Sequence, residues 1–180
     1  MFDERDLINR LQNESTRRKA FEELVSRYSN KLYWQIRHLV VDHDEADDIL
    51  QNVFLKTWNS IGAFKGDSQL YTWLYRIAYN ESLTFLSKKK NNLSIDDLDD
   101  GIANKLESDE YYDGNEAQVL LQQAIATLPE KQRAVFTMKY YEEMKYEDMA
   151  QVTGTSVGAL KASFFHAVQK ITAYVKSKEL

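Results

Sequence analysis

Three tyrosines stand four residues apart in one segment of the chain and carry the side chains best suited to binding a ligand. They are Tyr71, Tyr75 and Tyr79, with Arg76 and Asn80 beside them. In a helix, i+4 spacing places the three rings in one row. An aromatic row next to basic and amide groups can stack unpaired bases and neutralise phosphate. A wide core face, with half-buried rings and hydroxyls in water, is the other interpretation.

The tyrosine row must be carried by a helix that another face holds on a core. From Gln69 the helical period predicts a helix over 69–87, with a separate buried row. That row consists of Leu70, Trp73, Leu74, Ile77 and Ala78. Gly62 and Gly66 predict a turn before this helix. One helix cannot easily bury both rows in a small domain.

The preceding segment predicts another amphipathic helix, over 44–60, with Asp44 as its N-cap. Its buried face contains Ala46, Ile49, Leu50, Val53, Phe54, Thr57, Trp58 and Ile61. The opposite face is polar apart from a single leucine, and such faces are usually solvated. It contains Asp48, Gln51, Asn52, Leu55, Lys56 and Asn59.

Composition predicts an all-α chain: 180 residues contain one proline and six glycines, without alternating β-branched runs. With no cysteine, neither disulfides nor thiolate metal sites are possible. No apolar run reaches membrane-spanning length and the N-terminus lacks a signal-peptide core, so we expect a cytoplasmic protein without a membrane segment. The acid excess lies in residues 91–128, which contain nine acidic residues and one basic residue.

These patterns divide the chain into a helical bundle over 1–90, an acidic linker over 91–114 and a second helical domain over 115–180. The bundle includes helices over 3–11 and from Ser15 or Thr16 to Val41, in which Trp34 and His38 are interpreted as packing residues. The second domain has helices over 115–128, 130–141, 146–152 and 157–176.

The last two of these helices, with a short glycine-containing turn between them, form a helix-turn-helix signature. The side chains expected to hold the motif together are Met149, Ala150, Val152, Val157, Leu160, Phe164, Val168 and Ile171. The outward positions are Gly158, Lys161, Ala162, Phe165, His166, Gln169 and Lys170.

Taken together, the chain resembles bacterial extracytoplasmic-function (ECF) RNA polymerase sigma factors of the sigma-70 family. The similarity lies in motifs that follow in the family's order and spacing through both domains, namely 44–58, 64–68, 71–80, 128–133, 146–150 and 156–161. The resemblance implies a polymerase-docking bundle, a linker directed toward the RNA path and a helix-turn-helix domain. It also implies transcription initiation, without covalent catalysis, cofactor or metal.

The resemblance also implies site residues. The polymerase-binding residues would be Asp48, Gln51, Asn52, Leu55 and Lys56. Those that capture and melt the minus-ten element would be Phe64, Lys65, Gly66, Asp67, Ser68, Tyr75, Arg76, Tyr79 and Asn80. For the minus-thirty-five element they would be Ser156, Lys161, Ser163, Phe165, His166 and Lys170. The expected partners are core RNA polymerase, promoter DNA and an anti-sigma factor.

The chain departs from the family pattern at three places in its second domain. No arginine follows Arg133, although family members usually carry several along the recognition helix. The Glu142–Glu143 pair occupies a turn where glycine is usual, and Lys145 stands where a Ser or Thr cap is common. The lack of arginines predicts weak DNA binding by the second domain alone, with a flatter salt dependence.

Two other functions compete with this interpretation. An autonomous helix-turn-helix regulator would bind specific duplex DNA without polymerase, which the weakly basic recognition helix argues against. A metal-dependent helical enzyme is suggested by Asp44, Asp47 and Asp48, which imitate an acidic magnesium motif. That chemistry needs a second acidic cluster on a facing helix, whereas the remaining acids lie mainly in the linker.

Overall fold

The computed structural model describes residues 1–92 and 115–178, and in these ranges the regular structure is helical throughout. The predicted all-α class is therefore confirmed; most of the predicted acidic linker lies outside the described residues. In chain order the helices are α1 (Glu4–Gln12), α2 (Arg17–Val40), α3 (His43–Ser60), a 3₁₀ turn (Ile61–Ala63), α4 (Leu70–Asn92), α5 (Glu116–Ala126), α6 (Glu130–Tyr140), α7 (Tyr146–Thr153) and α8 (Val157–Lys178).

One predicted helix cap is wrong. The carboxylate of Asp42, not that of Asp44, caps α3 by accepting a hydrogen bond from the Glu45 backbone N–H at 3.1 Å. Asp44 lies within the first turn, where its charge still favours the helix dipole. Thr16 stands at the start of α2, but its hydroxyl donates to the Arg10 carbonyl at 2.8 Å and so ties α2 to α1.

The first four helices surround a hydrophobic core, and α2 packs on each of the other three. Helices α1 and α2 contribute Leu7, Leu11, Leu24, Leu32 and Ile36; α3 and α4 contribute Ile49, Val53, Leu70, Leu74 and Ala78. Each of these side chains is almost fully buried. Burying an aliphatic side chain contributes about 1.5–3 kcal/mol, so this core is the main source of stability for the bundle.

The same core continues into the second half of the chain, which consists of helices α5 to α8. Ala134, Val135 and Met138 of α6 and Met149 and Val152 of α7 belong to one hydrophobic cluster with the α1–α4 residues. Helix α6 packs on α2, and α7 packs on α4. In the described residues, the two halves therefore share a hydrophobic core.

The helix-turn-helix has the predicted form. Helix α7 ends at Gly154, whose φ of +69° is a left-handed conformation that glycine adopts without steric cost. The Ser156 hydroxyl then accepts the Ala159 N–H at 3.3 Å and caps the start of α8. Helix α8 packs on α5, α6 and α7, with a second, smaller core around Ile125, Phe136 and Ile171.

One predicted core residue of α8 is wrong. Val168 is 39% exposed, whereas its neighbour Ala167 is fully buried. Leu160, Phe164, Ala167 and Ile171 face the other helices, and this i, i+4, i+7, i+11 series leaves Val168 beside the buried row. The outward positions predicted for α8 are all exposed.

Candidate nucleic-acid interface

The outer face of α3, defined by the five predicted polymerase-binding residues, is open to solvent. Asp48, Gln51, Asn52, Leu55 and Lys56 are all exposed. Leu55, at 63% exposure, is a large apolar side chain with no hydrophobic cover, and Lys56 forms an ion pair with Glu81 of α4. The face is thus polar with an apolar centre, a composition suited to contact with another protein.

The turn at residues 64–68 forms one wall of a cavity between α4 and the second half. The cavity has a volume of about 490 Å³. Lys65, Gly66 and Asp67 are exposed, and Gly66 adopts a φ of +75° that favours glycine. The lining residues are Ala63, Phe64, Lys65, Asp67, Ser68, Thr72, Trp73, Arg76 and Gln151.

Phe64 anchors this turn and does not project from it. Its ring lies 5.1 Å from that of Trp73 and is only 8% exposed. Its carbonyl accepts a hydrogen bond from the Gln12 amide at 2.7 Å. The cavity therefore has an aromatic wall, hydroxyl and carboxylate groups, and the Arg76 guanidinium, which suits a planar polar guest near a phosphate.

The tyrosine face of α4, defined by Tyr71, Tyr75 and Tyr79, is covered rather than exposed. Tyr75 is 1% exposed and Tyr79 is 7% exposed. The idea that one helix could not bury both of its rows is wrong here, because Leu70, Leu74, Ala78, Tyr75 and Tyr79 are all buried and α4 packs on α2, α3 and α7. The tyrosines are therefore part of a wide core face, which was the second interpretation of the sequence, while Arg76 and Asn80 are exposed.

Tyr71 connects the tyrosine face to the second half. Its hydroxyl donates a hydrogen bond to the Glu142 carboxylate at 3.1 Å, and its ring stacks on that of Tyr28 at 5.9 Å. The Lys31 ammonium lies 5.4 Å from the ring centre. Burial, followed by the charge of Glu142, raises the pKa of both Tyr71 and Tyr75, so both hydroxyls stay protonated.

Arg133 is a buried residue whose role the sequence analysis missed. Its guanidinium donates to the carbonyl of Leu39 in α2 at 2.6 Å, and to those of Ala126 and Leu128 at 2.8 and 3.1 Å. Burial lowers its pKa to about 10, which keeps it charged at neutral pH. One side chain thus joins the ends of α2 and α5, and its place in the 128–133 motif was the only signal for it.

A second missed contact is the stack of His38 on Tyr141. The ring centres are 4.2 Å apart with nearly parallel planes. Burial, and then the nearby charge of Arg37, lowers the His38 pKa to about 4, so the imidazole is neutral at pH 7. The packing role predicted for His38 is confirmed, but its partner in the second half could not be predicted from helical periodicity.

The predicted DNA-binding residues of α8 lie mostly on one accessible surface. Ser156, Lys161, Phe165, His166 and Lys170 are exposed, and Ser163 is half-buried. Phe165 is 59% exposed. The Lys170 ammonium donates to the Gln132 side chain at 3.0 Å, so one of the two lysines predicted to contact DNA is already hydrogen-bonded within the protein.

Two searches of the described ranges gave negative results. Within residues 1–92 and 115–178, no three His, Asp or Glu side chains are grouped so that they could hold a metal ion, and the aspartates at the start of α3 are no exception. Over the same ranges, none of the helices combines the length and the apolarity needed to cross a bilayer.

Comparison with known proteins gives matches in both halves. Residues 24–92 match the family described as Sigma-70 region 2, and residues 118–171 match Sigma-70, region 4. The RNA polymerase sigma-H factor of Pseudomonas aeruginosa is 32% identical, over 93% of this chain and 91% of that protein. The ECF RNA polymerase sigma-E factor of Escherichia coli is 29% identical, over 92% and 90% respectively.

Solved structures support the same fold. CnrH, in complex with the cytosolic domain of CnrY, matches with a TM-score of 0.69 and 21% identity, over 97% of each chain. The sigma factor RpoE, in complex with the anti-sigma factor NepR from Bartonella quintana, matches with a TM-score of 0.68 and 20% identity, over 88% of this chain and 98% of that one.

Proposed function

This chain belongs to the sigma-70 family of RNA polymerase sigma factors, as a member of its ECF type, and from that premise we propose that it binds core RNA polymerase through α3 and separates promoter strands with α4. It is a transcription initiation factor that directs the polymerase to promoters, acting in the cytoplasm. One observation supports these separate roles of α3 and α4. The outer face of α3 is polar and open to solvent, and residues 64–68 together with α4 form the walls of a cavity.

The α3 contact is proposed as the site of polymerase docking. Asp48, Gln51 and Asn52 supply polar groups around the exposed Leu55. An interface of this kind derives its affinity from a desolvated apolar centre, and its polar rim gives orientation and specificity. Lys56 forms an ion pair with Glu81. We expect Lys56 to assist docking because the pair holds its side chain in a fixed position, more than through the positive charge itself.

For the minus-ten element, the cavity is proposed to receive a base flipped out of the duplex. Flipping costs a few kcal/mol per base, which stacking on an aromatic wall and hydrogen bonds to the base edge must offset. Trp73 and Phe64 supply the wall, Asp67 and Ser68 supply edge groups, and Arg76 lies where it can meet a phosphate. The reaction needs no bond making, since binding energy is used to separate the strands.

For the minus-thirty-five element, α8 is proposed to enter the major groove with Lys161, Phe165 and His166 toward the bases. The few cations on this helix favour a sigma factor that relies on the polymerase for most of its affinity. They argue against an autonomous regulator, which would need those cations to bind duplex DNA alone.

An anti-sigma protein is proposed as a further partner. The related RpoE and CnrH chains were each solved in a complex, with NepR and with the cytosolic domain of CnrY respectively. On this chain the exposed apolar side chains that such a protein could cover are Leu55, Trp58, Tyr140, Phe165 and Val168.

The proposal is tested by co-elution of the purified chain with bacterial core RNA polymerase. Asp48→Arg and Gln51→Arg should each abolish co-elution, whereas Glu14→Arg, which makes the same charge reversal as Asp48→Arg at an exposed site before α2, should leave it intact. The sigma-factor proposal fails if the wild-type chain ignores core enzymes from several bacteria yet binds duplex DNA by itself.

A further inference from the structure

Helix α1 is bonded to the start of the turn at residues 64–68, which the proposed function assigns to the flipped base. The side-chain amide of Gln12, the last residue of α1, donates hydrogen bonds to the carbonyls of Ile61 and Phe64 at 3.3 and 2.7 Å. One side chain thus spans the 3₁₀ turn and fixes the place where the chain leaves it.

The same helix also holds the end of the turn, where α4 begins. The carboxylate of Glu4, in the first turn of α1, accepts the Leu70 backbone N–H at 3.0 Å. Leu70 is the first residue of α4, and the first N–H groups of a helix have no partner within that helix. A carboxylate at this place satisfies one of them, and its charge favours the helix dipole. Glu4 therefore caps α4 from another helix.

Between these two attachments the turn has few bonds of its own. Among the described residues, no backbone-to-backbone hydrogen bond has a donor or acceptor in 65–68. The Ser68 hydroxyl donates to the neighbouring Gln69 carbonyl at 3.2 Å, which does not cross the turn. Backbone without internal hydrogen bonds opens at low free energy, so the shape of the turn depends on what holds its ends.

Helix α1 is a firm support because it is itself fixed on the bundle. Leu7 and Leu11 are fully buried in the main core. The Arg10 guanidinium forms an ion pair with Glu23 of α2 at 2.8 Å. The match to Sigma-70 region 2 covers residues 24–92, so it does not include α1.

We propose that α1 is the positioning element of the minus-ten site, in which Gln12 and Glu4 set the shape of the cavity by holding the two ends of the 64–68 turn. The proposal rests on the function proposed above. Neither residue lines the cavity, so each acts on a captured base through the turn and not by touching it. Docking through the outer face of α3 involves neither side chain and should not depend on them.

The test removes the donor at Gln12 without changing the size of the side chain. Gln12→Glu keeps the shape, but a carboxylate at neutral pH cannot donate to the two carbonyls. Asn13→Asp is the matched control, because it adds the same charge at the next residue and keeps the oxygen that accepts from Ser15. Gln12 and Asn13 are both exposed, so the urea midpoints of the two variants should stay close to that of wild type.

The first readout is the mobility of the turn in the free chain. Because the sequence contains no cysteine, Lys65→Cys gives a single exposed site for a nitroxide label. The electron paramagnetic resonance spectrum should show one restricted component in the labelled parent and with Asn13→Asp, and an added mobile component with Gln12→Glu. Glu4→Ala should add the mobile component too, whereas Glu4→Gln should keep the restricted spectrum, because an amide oxygen also accepts the Leu70 N–H.

The second readout is base selection by the unlabelled chain, without Lys65→Cys, bound to core polymerase. A pool of short single-stranded DNA of randomised sequence is bound, and the retained molecules are sequenced. Wild type should enrich one base at the captured position, and Gln12→Glu should lower that enrichment about threefold to tenfold, the range expected for the net loss of one hydrogen bond. Polymerase affinity and the other positions of the pool should stay as in wild type, whereas a general loss of folded chain would lower them all together.

The outcomes separate this proposal from the proposed function. Unchanged spectra or unchanged base enrichment for Gln12→Glu would overturn the positioning role of α1 while leaving the sigma function intact. An equal effect of Asn13→Asp would overturn it as well, because the added charge and not the lost donor would then be the cause. If wild type with polymerase enriches no base, the proposed minus-ten function fails and the positioning role fails with it, even where the spectra show that α1 holds the turn.

Discussion

Helices α3 and α4 lie side by side in the same bundle, yet the surfaces that they are proposed to use differ in exposure. The outer face of α3 is solvated and has Leu55 at its centre, whereas the tyrosine face of α4 is largely buried, and Tyr71 is bonded to Glu142 in the turn before α7. Both helices bury an apolar row in the same core. The difference therefore comes from what packs on the second face of each helix.

The contrast affects how readily each surface can bind a partner. A surface that is already exposed can bind a partner without rearrangement, so α3 is ready for a protein. A surface that the chain itself covers binds only in the fraction of molecules that have opened, and its apparent affinity is reduced by that fraction.

The largest expected effect is the loss of stability on substitution of Arg133, the side chain that joins the two halves of the chain. Arg133→Met should lower the free energy of unfolding by roughly 3–5 kcal/mol, because three buried carbonyls lose their donor and only the apolar part of the side chain is replaced. Urea unfolding followed by circular dichroism measures this loss. Lys131→Met, an exposed change in the same helix, should cost less than about 0.5 kcal/mol; similar losses for both would contradict the assigned role of Arg133.

Acid should destabilise the folded chain through His38. Its pKa of about 4 in the folded chain lies below the ordinary value of 6.5, so between these values the unfolded chain binds a proton that the folded chain does not. Stability is therefore complete above about pH 6.5 and falls toward pH 4, by up to about 3 kcal/mol from this group. Urea midpoints across this range should show the loss in wild type.

The control for that prediction keeps the aromatic stack and removes the titration. His38→Phe should still pack on Tyr141, and its stability should fall less between pH 6.5 and pH 4 than that of wild type. Parallel pH profiles for the two proteins would show that His38 is not responsible for the acid sensitivity.

In α3, substitution of an exposed leucine should affect polymerase binding but not stability, whereas substitution of a buried isoleucine should lower stability. Leu55→Ala should leave stability within about 0.5 kcal/mol and weaken binding to core polymerase about tenfold, because Leu55 is the apolar centre of an exposed face. Ile49→Ala should lower stability by about 2–5 kcal/mol, because Ile49 is buried in the shared core. Titration of labelled chain with polymerase and urea unfolding, measured on both variants, check this pair; an unchanged polymerase affinity for Leu55→Ala would remove α3 as the docking face.

The smallest expected effect is relief of strain in the turn between α6 and α7, where Glu143 has a φ of +49°. Glu143→Gly should raise stability by about 0.5 kcal/mol, since glycine adopts the left-handed conformation without strain but loses more backbone entropy on folding. A rise of about 1–2 °C in the thermal midpoint would show it. A lower midpoint would mean that Glu143 contributes a contact that outweighs its strain.

Much of this protein was determined by the sequence alone. Helical periodicity and glycine positions depend on residues a few positions apart, so the order and type of the helices, the outer face of α3 and the exposed side of α8 could all be predicted. The motifs through 44–80 and 128–161 carried enough information to identify the family. These features are local or are repeated along one element.

What only the tertiary structure decided is which surfaces meet. A row of tyrosines has the same spacing whether it faces solvent or another helix, so nothing in 71–79 could show that the row is largely buried or that Tyr71 is bonded to Glu142. The bonds from Arg133 to Leu39 and the stack of His38 on Tyr141 join residues about a hundred positions apart. Such contacts depend on how two complementary surfaces pack, and periodicity within one helix carries no information about the partner.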